Sequence, residues 1–181
     1  MRRLVVTIGS SPLTTSASTL DYASLNRMAD QIARVREAGW RPVIVTSAAI
    51  ACGLEALGIV ERPHDMPSLQ AAASVGQGAL SAAYAQAFAR HGLLTSVVLL
   101  TRRDTADRTA YLHARDTLLR LLELGVVPVV NENDTVSAEQ IRFGDNDTLA
   151  ALVPCSAVGL SRCSAIAAAC GSISMAVGCC A

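Results

Sequence analysis

Lysine is missing from the whole 181-residue chain: all fifteen basic residues are arginine, and fifteen Asp and Glu balance them to zero formal net charge. Without lysine a phosphate loop of the G-x-x-x-x-G-K-[ST] kind cannot be completed. Without net positive charge there is no electrostatic case for nucleic acid or an anionic membrane as partner. Aromatic residues make up only 3% of the chain, so its core must be built from Ala, Val, Leu and Ile. With 51% of residues hydrophobic there is enough of them for one domain with a sizeable core. No apolar stretch of signal-peptide length follows Arg2 and Arg3, which argues against export and for a cytoplasmic protein. The six cysteines include no C-x-x-C pair, and His64, His91 and His113 lie apart from them in sequence. That spacing gives little support to a zinc site, and a cytoplasmic chain does not call for a disulfide framework.

What the chain does contain is a regular alternation of strand-like and helix-like segments. Residues 3–8 form a β-branched run that ends at Gly9-Ser10-Ser11-Pro12, a turn whose glycine and hydroxyls can offer backbone amides to a phosphate. Leu25, Met28, Ile32 and Val35 recur at helical spacing over residues 21–38, and Gly39 stops them. Residues 42–46 are a second strand, opening into the corner Ser47-Ala48-Ala49-Ile50-Ala51-Cys52-Gly53. The hydroxyls there serve equally as a helix N-cap or as part of a site. Residues 58–67, with two prolines, read as a surface excursion. An alanine-rich helix follows over residues 68–90, with Gly76-Gln77-Gly78 inside it. Each such glycine costs about 1 kcal/mol relative to alanine, so it should serve close packing or close ligand approach, packing being the expected cause. Residues 94–100 are a third strand and Thr101-Arg102-Arg103-Asp104 a polar loop. One helix is expected over residues 105–124, with Leu112, Leu118, Leu119 and Leu122 as its apolar stripe. Such alternation requires right-handed crossovers and a mainly parallel sheet covered on both faces.

The densest polar chemistry lies in residues 125–147. Residues 126–130 read as a short buried strand, after which come Asn131, Glu132, Asn133 and Asp134, and within one loop length Gly144-Asp145-Asn146-Asp147. Open α/β sheets bind ligands beyond the carboxyl ends of their strands. Two such knots supply carboxylates for an ammonium or a metal, and amides able to donate to a carboxylate. By composition alone, ordinary turn and N-cap residues are the better reading of these positions. Beyond Asp147 the chain changes character. Residues 148–181 carry one charge, Arg162, and five of the six cysteines (Cys155, Cys163, Cys170, Cys179 and Cys180). Residues 163–181 are uncharged but too rich in Ser, Gly and Ala for a bilayer span. The change is of the kind that a reading-frame shift shortly after Leu152 would produce, and resequencing the coding region tests that hypothesis.

In residues 1–153 the chain resembles the glutamate 5-kinases of the amino-acid kinase superfamily. The resemblance is carried by Val5-Val6-Thr7-Ile8-Gly9-Ser10-Ser11, by Val43-Ile44-Val45-Thr46-Ser47-Ala48, by Leu69-Gln70-Ala71-Ala72-Ala73-Ser74-Val75-Gly76-Gln77-Gly78, by Leu99-Leu100-Thr101-Arg102 and by Tyr111-Leu112-His113-Ala114-Arg115-Asp116-Thr117. Most specific are Asn131-Glu132-Asn133-Asp134-Thr135-Val136 and Arg142-Phe143-Gly144-Asp145-Asn146-Asp147. The resemblance implies a three-layer α/β/α sandwich with a mainly parallel sheet, incomplete at its carboxyl end, with residues 154–181 as a tail outside it. It implies transfer of the ATP γ-phosphoryl group to the side chain of L-glutamate, with Mg2+, in a protein that forms homo-oligomers. By match to the family's motifs, Ser47, Asp134 and Asn146 hold glutamate and Asp147 organises the catalytic cations. The phosphate lies against Thr7, Gly9 and Ser10. Thr7 stands where the family has a lysine and Ala48 where it has a glycine, and the family's ATP-binding half has no counterpart in residues 1–181. A sheet cut short in this way would expose a strand edge.

Overall fold

The computed structural model describes residues 2–15 and 19–136, together with the backbone of two strands in the tail. Four strands run parallel: β1 (Arg2–Ile8), β2 (Trp40–Val45), β3 (Thr95–Leu100) and β4 (Val127–Glu132). The tail adds β5 (Ser164–Ala167) and β6 (Ile173–Gly178), an antiparallel pair in which β6 also runs antiparallel to β1. The order across the sheet is β3-β4-β2-β1-β6-β5, so the outer edge of β1, which a shortened sheet would leave open, is paired with β6.

Side-chain parity sorts the core into two layers. Leu4, Val6, Ile8, Ile44, Val127 and Val129 face one side, packed against α1 (Tyr22–Glu37), α2 (Ala49–Ala56) and α3 (Met66–Ala89). Val5, Val43, Val45 and Val130 face the other, against Leu118 and Leu122 of α5 (Arg108–Glu123). Alternate residues of a strand point to opposite faces, so near-continuous β-branched runs are what a sheet covered on both sides requires. The result is the three-layer α/β/α arrangement with a mainly parallel sheet that the sequence implies.

Helix starts follow their caps. The Asp21 carboxylate accepts from Ser24 N at 3.0 Å to open α1, and Asp65 accepts from Ser68 N at 2.9 Å to open α3. Gly39, with φ of 86°, turns the chain out of α1. The single helix expected over residues 105–124 is instead two: α4 (Arg102–Ala106) and α5. Thr101 and Asp104 form a reciprocal capping box, so the expected polar loop is itself the start of a helix. Asp107 then leaves helical geometry (φ −78°, ψ 121°) and caps α5 by accepting from Ala110 N at 2.8 Å. A second capping side chain within one turn outweighed the apolar periodicity on which a continuous helix was expected.

Of the two glycines inside α3, only one serves packing. A Cβ on Gly76 would lie 1.8 Å from the carbonyl oxygen of Ala49 and 2.3 Å from the amide nitrogen of Gly53. Gly53 is its counterpart on α2, where a Cβ would lie 1.7 Å from the carbonyl oxygen of Ala72. The backbones of α2 and α3 thus touch through two glycines. Gly78 is exposed with open space around it and has no such role.

Candidate functional site

The parallel register brings the candidate residues of separate strands to one edge. Thr7 pairs with Val45, and Val45 with Val130, so Gly9, Ser47 and Glu132, each two residues further along its chain segment, all belong to the carboxyl edge of β1, β2 and β4. Leu100 of β3 pairs with Glu132, and its carbonyl accepts from Asn133 N at 2.9 Å, which draws the Asn133-Asp134 turn across the same edge. Thr7, Gly9, Ser10, Ser47 and Asp134 are therefore all carried at this one edge of the sheet, Gly9 and Ser10 exposed and the other three half-buried. Asn146 and Asp147, like the rest of the second knot, lie outside the described residues.

The first knot is not wholly a loop. β4 continues through Asn131 and Glu132, which are only 1% and 8% exposed. Asn131 donates its Nδ2–H to Oε1 of Gln77 on α3 at 2.8 Å. A buried amide must be paired, so these two fix the end of β4 against α3. Asp134 emerges from this packed support. Burial, reinforced by the neighbouring Glu132, pushes its carboxyl up to about 6, well above the ordinary aspartate value. A carboxylate so placed gains when a cation arrives beside it.

Across the edge, the Ser47 hydroxyl is not a helix cap. The N-cap of α2 is Ala48, which makes no side-chain hydrogen bond, and the first helical bond runs from Cys52 N to the Ala48 carbonyl at 3.0 Å. The amides of Ala49, Ile50 and Ala51 precede that bond and open at the positive end of the helix, where an anion such as a carboxylate is favoured. Ala48 sits in the left-handed region, with φ of 85° and ψ of 6°, and is the one non-glycine residue with positive φ among the described residues. A left-handed position is one where glycine, which the resemblance implies here, is at ease, and the Ala48 methyl is itself buried in the core. Ala48→Val, which puts a branched side chain on a left-handed residue in a packed site, should cost about 2–3 kcal/mol in urea unfolding. Ala48→Gly should stay within about 1 kcal/mol of the parent, because relief of strain and loss of a buried methyl nearly cancel. Equal stability of the valine and glycine variants would contradict the left-handed assignment.

Three supporting residues were not marked as site residues by the sequence: Thr46, Gln77 and Tyr84. The Thr46 hydroxyl lies 2.7 Å from the Tyr84 hydroxyl, in the core. In sequence both are one more position on a strand or an apolar helical stripe. The available signal was a tyrosine, rather than a phenylalanine, at a core position of an alanine-rich helix. Cys52, by contrast, is inert: burial raises its thiol to about 11. No group of three or more His, Cys, Asp or Glu able to hold a metal occurs among the described residues. Asp147, the residue that the resemblance assigns to magnesium, lies outside the described residues. No helix among them is long and apolar enough to cross a membrane.

Comparison with known proteins identifies the family. Residues 2–160 match the model of the amino acid kinase family. The chain is 58% identical over 152 residues to a glutamate 5-kinase of Azoarcus sp. (strain BH72), 55% to one of Aromatoleum aromaticum and 57% to one of Ralstonia nicotianae. Each match covers 84% of this chain and 41% of the relative, so the chain corresponds to less than half the length of these proteins. With a sheet, an edge and a first-strand turn of the expected kind, and a family match over residues 2–160, the chain belongs to the amino acid kinase family.

Proposed function

We propose that this chain carries the glutamate-binding part of a glutamate 5-kinase, which transfers the γ-phosphoryl group of ATP to the side-chain carboxylate of L-glutamate to give L-glutamyl 5-phosphate, the first step of proline synthesis. The observation that supports this reading is that the Gly9-Ser10 turn, the Ser47-Ala48 corner and Asp134 all follow strand ends at one edge of the sheet, in a chain 54–58% identical to glutamate 5-kinases. L-Glutamate fits this edge by charge. Its ammonium pairs with Asp134, and its carboxylates accept from the Ser47 hydroxyl, the first amides of α2 and the Asn146 amide. The nucleophile is a carboxylate whose pKa is about 4.3, so it is ionised at neutral pH and needs no general base. One of its oxygens attacks the γ-phosphorus as the bond to the bridging oxygen breaks, and ADP leaves with that electron pair. The protein's task is alignment and charge neutralisation. We assign the phosphate side to Thr7, Gly9 and Ser10, and the organisation of Mg2+ to Asp147. A cytoplasmic location and assembly into homo-oligomers belong to the same reading. Residues 154–181 we place outside the kinase unit, although the family match reaches residue 160 and β6 pairs with β1.

A second reading, a glutamate-binding chain without phosphoryl transfer, is favoured by one residue: Thr7 has no charge to bring to the phosphates where the resemblance implies a lysine. Two measurements on the 181-residue protein separate the possibilities. Calorimetric titration is expected to show L-glutamate binding in the millimolar range, preferred over aspartate and N-acetylglutamate. A coupled assay then separates the two readings: glutamate-dependent ADP release is the outcome of the kinase reading, and L-glutamate binding without ADP release that of the second. ADP release would eliminate the second reading. Preference for aspartate or N-acetylglutamate would eliminate the substrate assignment.

A further inference from the structure

We propose that Tyr84 is a positioning residue of the ligand site: its phenol reaches from α3 through Thr46 to hold the Ser47–Ala48 peptide, so that an amide donor faces the carboxyl edge. This rests on reading that edge as the site where ligand binds. The Thr46 hydroxyl donates to the Ser47 carbonyl at 3.2 Å, which leaves the Tyr84 hydroxyl to donate to Thr46 Oγ1 at 2.7 Å. In a trans peptide the C=O and the following N–H point in opposite directions. With the Ser47 carbonyl drawn back toward Thr46 and the core, the Ala48 N–H is turned the other way, beside Ser47. The same peptide plane sets the φ of Ala48, the left-handed angle that an alanine does not hold by preference.

The phenol is well fixed for this task. Tyr84 is 1% exposed and its ring stacks on Phe88, with centroids 6.5 Å apart and planes inclined by 19°. Burial drives its hydroxyl pKa far above the usual tyrosine value, so it remains a donor. A phenylalanine would fill the same space, and a buried hydroxyl adds little net stability because it gives up its bonds to water. What the hydroxyl adds is direction.

The test is Tyr84→Phe in the full chain, with Thr46→Val as a second variant that cuts the same relay at its other link. The Cα and Cβ chemical shifts of Ala48 report its left-handed conformation. Both variants are expected to move them at least halfway toward ordinary alanine values while the shifts of β1 and β4 stay in place. In an Ala48→Gly background, where left-handed geometry needs no support, Tyr84→Phe should leave the corner unchanged. L-Glutamate is expected to bind Tyr84→Phe about ten-fold more weakly than the parent. An unaltered Ala48 signal in both variants, or changes spread evenly over the sheet, would overturn the proposal. If the parent binds no L-glutamate, the substrate reading fails while the Ala48 shifts still decide the role of Tyr84.

Discussion

Gly76→Ala is expected to destabilise the protein by at least about 3 kcal/mol, the upper range for overpacking. The added methyl would fall 1.8 Å from the carbonyl oxygen of Ala49, and that neighbour is helix backbone, which cannot rotate aside. α2 and α3 would have to separate, and the apolar contact between them would open to water. Alanine is the better helix former by about 1 kcal/mol, so the steric cost must exceed that gain before any loss appears. The control lies two residues away. Gly78→Ala meets nothing within 4 Å, keeps the propensity gain and should stabilise the chain by about 1 kcal/mol. For a chain of this length the two variants should shift the thermal midpoint in opposite directions, by about 6–12 °C down and about 2–4 °C up. Equal shifts would mean that α2 and α3 do not meet through Gly53 and Gly76. Because Ala49 and Gly53 belong to the helix that follows the Ser47 corner, Gly76→Ala should also disturb the ligand edge.

Asp134→Asn is expected to stabilise the free protein and weaken ligand binding, a combination a residue of purely structural role would not give. The folded carboxyl titrates near 6, against an ordinary value of 3.8. Between those values the folded state holds more protons than the unfolded state, so stability falls as pH rises from about 4 through 6 and is level above that. Asparagine removes the slope. At pH 7 the gain should be about 1–2 kcal/mol, after allowing for solvent screening of a half-buried group. L-Glutamate needs the ionised form opposite its ammonium. Its affinity for the parent should therefore rise from pH 5 to 7, and the asparagine variant should bind about 30-fold or more weakly, with no such rise. A variant that is less stable at neutral pH, or that binds L-glutamate as the parent does, would remove Asp134 from the proposed site.

Much of this was legible in the sequence, and where it failed the reasons are local. The β-branched runs of β1, β2 and β4 do not alternate with polar residues, which is the pattern of a parallel sheet covered on both sides. Gly39 and Gly125 mark helix ends, and both have positive φ. The split between α4 and α5 was hidden because Asp107 reads as one more polar residue on an amphipathic helix until its side chain is seen capping Ala110. The end of β4 was hidden because Asn131 and Glu132 are poor strand residues by propensity. Tertiary partners keep them extended, Leu99 and Leu100 of β3 through the ladder and Gln77 through the Asn131 side chain.

The sequence by itself determined the class of the fold and, but for the split between α4 and α5, the order of its elements up to β4, because hydrophobic period, caps and glycine stops are local properties of the chain. Only the tertiary structure decided which glycine of α3 is a contact, that Ala48 is left-handed, that burial raises the Asp134 carboxyl and that a tyrosine on α3 meets the Thr46 hydroxyl. Each of those depends on atoms brought together from residues far apart in the chain, and on the water their packing excludes. No window of sequence contains that information.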